Sequence, residues 1–163
     1  MADSFLATVH LADPAVLVIG IGNEFRGDDA VGLVVARRLT AHARPGLEVR
    51  EASGEATGLM RLWEGRSRVV VVDVMRSGRP PGTIARFDAR QGWPEEGGGP
   101  FASSHALGLR EAVALSKALD SLPGALVVLG VEGAVFDAGE PMTPAVAAAA
   151  AQVVASILSD AAD

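Results

Sequence analysis

VLVIGIGNEFRGDDAVGLVVARRL, residues Val16 to Leu39, decides the fold. Val16 to Ile19 is a β-branched and apolar run that predicts a buried strand. Val31, Val34, Val35 and Leu39 recur at helical spacing, so a helix follows. Between them lies a polar turn containing Gly20, Gly22, Asn23, Glu24, Gly27, Asp28 and Asp29. In an open α/β sheet such a turn sits at the carboxyl edge of the strands, where binding sites are built. Asp28 is expected to be the N-cap of the helix, a position that favours aspartate because its carboxylate accepts exposed backbone N–H groups. Asp29 has two readings: simple stabilisation by the helix dipole, or a metal-facing carboxylate held out from the sheet edge.

Composition narrows the class. With 163 residues, 49% of them hydrophobic, the chain suffices for one globular domain with an ample core. A net charge of -6 argues against partners such as nucleic acid or a membrane surface. The absence of cysteine excludes a thiol nucleophile, a disulfide and a thiolate metal site within the sequence. No basic segment followed by an apolar core opens the chain, which predicts no signal peptide. Val69–Val72 is far too short to span a bilayer and Ala145–Ala151 lacks the length, so no membrane insertion is expected. A cytoplasmic location is the corresponding expectation.

Outward from the first strand–helix unit, strands and helices alternate. Residues 1–13 read as a lead-in and 14–163 as the domain. Leu47–Ala52 alternates like a partly exposed strand, and Thr57–Trp63 suggests a short helix. RVVVVDVM, Arg68–Met75, is apolar on both faces and predicts a central strand of a parallel sheet. Gly82–Phe87 suggests another strand, followed by the Gly/Pro-rich stretch Asp88–Ser104. A helix is expected from about Ser104 to Leu119, a buried strand over Ala125–Val131, and a last helix opened by Thr143 as N-cap and Pro144 at its first position. This pattern predicts a single-domain α/β fold: a three-layer α/β/α sandwich around a mostly parallel, twisted sheet.

Asp73 interrupts the valine run at the end of the central strand, a place for either a stabilised structural charge or a functional one. His105 follows the long loop and precedes a helix; in isolation it reads as a local hydrogen-bonding residue. His10 and His42 receive no role. The topology allows Asp29, Asp73 and His105 to converge at one sheet edge, and two carboxylates with one imidazole suit a divalent metal with open positions. Other templates fail: there is no HExxH, no GxSxG elbow and no Walker motif. Gly20-x-Gly22 matches a dinucleotide fingerprint weakly, because Phe25 stands at its third position and only Glu51 offers an acid after the second strand.

Four blocks occur in order: GIGNEFRGDDAVG (Gly20–Gly32), VVVVDVMRSGRPPGTI (Val69–Ile84), SSHALGL (Ser103–Leu109) and GVEGAVFDAGEPMTPAV (Gly130–Val146). Together they resemble the hydrogenase maturation proteases, endopeptidases that trim the C-terminus of the [NiFe]-hydrogenase large-subunit precursor. The resemblance implies an α/β sandwich, the precursor as partner, and a metal-contacting and catalytic trio falling on Asp29, Asp73 and His105. Some relatives carry glutamate at the first of these positions. It further implies that nickel arrives already inserted in the precursor, with no tightly bound organic cofactor. The family has been described both as metal-dependent and as aspartic-type, and the sequence leaves that choice open. Two other functions compete with it: a non-catalytic metal-checking chaperone of the precursor, and a small nucleotide-binding α/β protein. Trp93 and Phe101, in the long loop, are expected to contact the precursor.

Overall fold

Strands apolar at every position need cover on both faces, and this chain supplies two helices to each. The computed structural model describes residues 16–42, 44–93 and 106–160. The predicted lead-in 1–13 and residues 94–105 of the long loop lie outside them. The elements are β1 (Val16–Ile21), a 3-10 turn (Gly27–Ala30), α1 (Val31–Ala41), β2 (Leu47–Ala52), α2 (Ala56–Trp63), β3 (Arg68–Met75), β4 (Ile84–Asp88), α3 (Ala106–Ala118), β5 (Ala125–Glu132) and α4 (Pro144–Asp160). The strands form one sheet in the order β2-β1-β3-β5-β4, parallel except for β4. This is the predicted three-layer sandwich. β3 lies at its centre, within the bounds read from the sequence.

Side chains alternate across the sheet. Leu17, Ile19, Ile21, Val69, Val71 and Met75 face α2 and α3, where Leu59, Trp63, Leu109 and Val113 close the core. Val16, Val18, Val70, Val72 and Val74 face α1 and α4, packing on Val31, Val35, Leu39, Val146 and Val153. Trp63 is buried, and its indole N–H donates to Ser116 Oγ at 3.0 Å, so burial leaves no orphaned donor there. β4 is the antiparallel exception because only residues 76–83 join it to β3, too few for a parallel crossover. It begins two residues later than the sequence reading placed it. Among the described residues, no helix is long and apolar enough to cross a membrane.

Glycines set how closely α1 approaches the sheet. A methyl on Gly20 would stand 2.1 Å from the Gly32 carbonyl oxygen. One on Gly32 would stand 2.1 Å from the Ile21 oxygen and 2.5 Å from the Val72 oxygen. Real Cβ contacts are never so short, so only this glycine pair lets α1 begin directly on β1 and β3. The glycines once weighed as a nucleotide fingerprint are packing residues.

Candidate active site

The close seat of α1 brings the first glycine-rich turn to the end of the central strand. Val72 O, against which Gly32 lies, belongs to the same peptide unit as the Asp73 N–H. Asp29 stands three residues before Gly32, in the 3-10 turn that packs against β3. Its carbonyl oxygen lies against Gly22, where a methyl would come within 2.2 Å, and accepts Asn23 N–H at 3.1 Å. The structure therefore places Asp29, in the turn that follows β1, and Asp73, near the end of the neighbouring β3, at one edge, the carboxyl edge. Both are buried, at 2% and 0% exposure. A buried carboxylate is costly unless its surroundings compensate it.

Asp73 shares the α2/α3 face with Val71 and Met75. One of its carboxylate oxygens accepts the Val74 N–H at 2.8 Å. Its register partner on β5 is Gly130, and the next residue across, on β4, is Ala85. On the β5 and β4 side of Asp73 the row therefore carries only small residues, while Ile21 on β1 shares its face on the other side. α3 starts on the same face. A methyl on Gly108, in its first turn, would stand 2.1 Å from Gly54 O, just past the end of β2. The N-terminus of α3 thus reaches the carboxyl edge. His105, one residue before α3, lies outside the described residues, as do Phe101 and most of the long loop. Among the described residues no group of three His, Asp or Glu side chains could hold a metal ion.

Asp28 corrects the sequence reading. It does not cap the helix that follows it: the 3-10 turn and α1 have no side-chain cap. Its carboxylate, fully buried, instead accepts the N–H groups of Ala134 (2.8 Å), Val135 (3.0 Å) and Thr143 (2.7 Å) and the Thr143 hydroxyl (2.9 and 3.1 Å). Thr143 immediately precedes α4, so Asp28 places negative charge at the N-terminus of that helix. Backbone bonds reinforce the join: Asp28 N–H to Val135 O, Gly27 N–H to Glu140 O, and Gly139 N–H to Phe25 O. The first and fourth sequence blocks are thus one structural unit. Asp28 is a clamp between the first glycine-rich turn and the segment leading to α4.

Glu132 was missed. Buried at the end of β5, it accepts Ser77 N–H (2.9 and 3.0 Å), Ser77 Oγ–H (2.7 Å) and Gly78 N–H (3.1 Å), holding the turn that follows β3. Only the register Met75 to Glu132 brings the two segments together, and nothing local in the sequence signals it. Trp93 is a second correction. It is half-buried, packs against the α2/α3-face core, meets the Phe87 ring edge-on at 5.1 Å and lies under the Arg110 guanidinium. It belongs to the fold, not to a free loop tip.

The family model described as HycI, hydrogenase maturation protease, matches residues 33–160. The chain belongs to the hydrogenase maturation protease family. The match takes in Asp73 and His105 and begins four residues after Asp29. The hydrogenase expression/formation protein HupD of Thiocapsa roseopersicina is 30% identical over 128 residues, 77% of this chain and 58% of the relative. HupD of Rhodobacter capsulatus is 30% identical over 136 residues, 81% of this chain and 64% of the relative. The chain thus spans about three fifths of the length of these curated relatives. Among solved structures, the hydrogenase maturating endopeptidase HybD from E. coli superposes with a TM-score of 0.74 at 22% identity, covering 89% of this chain and 90% of the other. The [NiFe] hydrogenase maturation protease HybD from Thermococcus kodakarensis gives 0.69 at 24%, covering 91% and 99%. These two likenesses are of fold.

Proposed function

We propose that this member of the hydrogenase maturation protease family is an endopeptidase that removes the C-terminal extension of a [NiFe]-hydrogenase large-subunit precursor. In this reading nickel enters with the substrate, and Asp29, Asp73 and His105 engage it. The observation that carries the proposal is the burial of two acids at the carboxyl edge, Asp73 near the end of β3 and Asp29 in the turn after the adjacent β1. Asp28 and Glu132, the other buried acids, hold loop segments away from this pair.

The chemistry is hydrolysis. Water adds to the scissile carbonyl carbon, the C–N bond breaks, and the released amine takes a proton. In this reading Asp29 or Asp73 accepts the proton of the attacking water as a general base. Nickel carried by the precursor supplies either polarisation of the carbonyl or the recognition that registers completed metal loading. The small residues Gly130 and Ala85 beside Asp73 leave room for an extended peptide to cross the edge. Cytoplasmic action fits the proposed substrate.

The test uses the nickel-loaded precursor and two variants. Asp29→Asn and Asp73→Asn should keep a folded protein that binds the precursor and fails to cut it. Full processing by either variant contradicts the assignment of that residue. Binding without cleavage by the unmodified protein would instead indicate a metal-checking chaperone.

A further inference from the structure

Arg26 and Arg76 meet at one residue, Phe136, from two parts of the chain. Arg26 Nε donates to the Phe136 carbonyl at 3.3 Å, while the Arg76 guanidinium lies over the Phe136 ring, 3.6 Å from its centre. Phe136 itself is wedged at the carboxyl edge. A methyl on Gly133 would stand 2.6 Å from its ring, 2.7 Å from Val74 and 3.1 Å from Asp28 Cβ. Both guanidiniums are exposed, and among the described residues neither is ion-paired. By contrast, Arg37, Arg50 and Arg66 each pair with glutamates. Beside them Phe25 is 71% exposed. Its backbone is fixed by the bond from its N–H to Asn23 Oδ1 and by Gly139 N–H on its carbonyl.

We propose that Arg26 and Arg76, gathered on Phe136, receive an acidic side chain of the precursor's extension, with Phe25 as the neighbouring apolar contact. This rests on the proposed cleavage reaction and names what the same edge selects. A stacked guanidinium keeps its in-plane N–H donors free, so a carboxylate is met by pre-positioned groups. Reach sets the position. Arg76 is three residues past Asp73, about 10 Å at ~3.3 Å per extended residue. The acid recognised therefore lies within about four residues of the scissile bond.

The experiment compares a nickel-loaded precursor with one whose Asp and Glu residues in that interval are changed to Asn and Gln. Each is processed by the unmodified protein, Arg76→Gln and Arg26→Gln. In parallel, binding of a synthetic peptide spanning the cleavage site is measured with and without those acids. The expected result is a rise in KM of about fivefold for either change, with kcat retained and little further loss when both are combined. Arg76→Glu should regain affinity for a precursor carrying Lys in place of the acid, which a merely structural role would not produce. Unchanged KM in all combinations, or an extension with no acid in that interval, overturns the platform and leaves the cleavage reading standing. Acid-dependent peptide binding that requires Arg76, without any processing, supports the platform and removes the cleavage reading. Acid-independent binding with no processing removes both.

Discussion

Asp28→Ala should destabilise the fold far more than loss of a helix cap would. A solvent-exposed cap is worth about 0.5–2 kcal/mol. Here the carboxylate is fully buried and accepts three backbone N–H groups and one hydroxyl. Each buried donor left without an acceptor costs about 1–3 kcal/mol, reduced where water enters the space vacated. With three N–H donors affected and partial hydration, the expected loss is about 3–5 kcal/mol. Asp28→Asn keeps one acceptor oxygen but turns an amide NH2 toward N–H donors, so about 2–4 kcal/mol is expected. Urea unfolding of both variants with the slope held common gives the difference directly. If the proposed cleavage holds, residual folded protein at low temperature should still process precursor. A loss below about 1 kcal/mol would refute the clamp. Abolished processing at unchanged stability would move Asp28 into the chemistry.

Two further predictions follow from the same geometry. The Thr57 hydroxyl and the N–H groups of Thr57 and Gly58 hold the Glu55 carboxyl below its usual range. A depressed folded-state pKa contributes stability present above the unfolded value of 4.5 and lost as pH falls through the folded one. Protection of the α2 amides should therefore decline below that pH in the native protein and be insensitive to it in Glu55→Gln, as hydrogen exchange would report. Gly108→Ala places a methyl against Gly54 O. It should cost about 1–3 kcal/mol and shift the start of α3; unchanged thermal unfolding would refute the close contact.

Elements were legible wherever local periodicity and burial agree. β3 and β2 match their sequence bounds because a valine run and an alternating run each have one reading as strands. The direction of β4 was not legible, since it follows from the shortness of residues 76–83 and from pairing with a strand some 40 residues later. Asp28 was misread for the same reason. Position before a helix suggests a cap, yet its partners are more than 100 residues away, in the loop that leads to α4. Glu132 carried no signal because its partners at Ser77 and Gly78 become neighbours only through sheet register. Trp93 sits in a segment whose polar sequence neighbours suggest exposure, while the Phe87 ring and Arg110 draw it onto the core. The placement of Asp29 and Asp73 at the carboxyl edge was legible because that edge of a parallel sheet follows from topology alone.

The central claim is cleavage conditional on nickel. The most direct measurement is the intact mass of a [NiFe]-hydrogenase large-subunit precursor after incubation with this protein, in nickel-loaded and nickel-free forms. The account predicts that the loaded precursor loses the mass of its C-terminal extension and the nickel-free one keeps it. An unchanged mass for the loaded precursor, or equal cleavage of both, would contradict it.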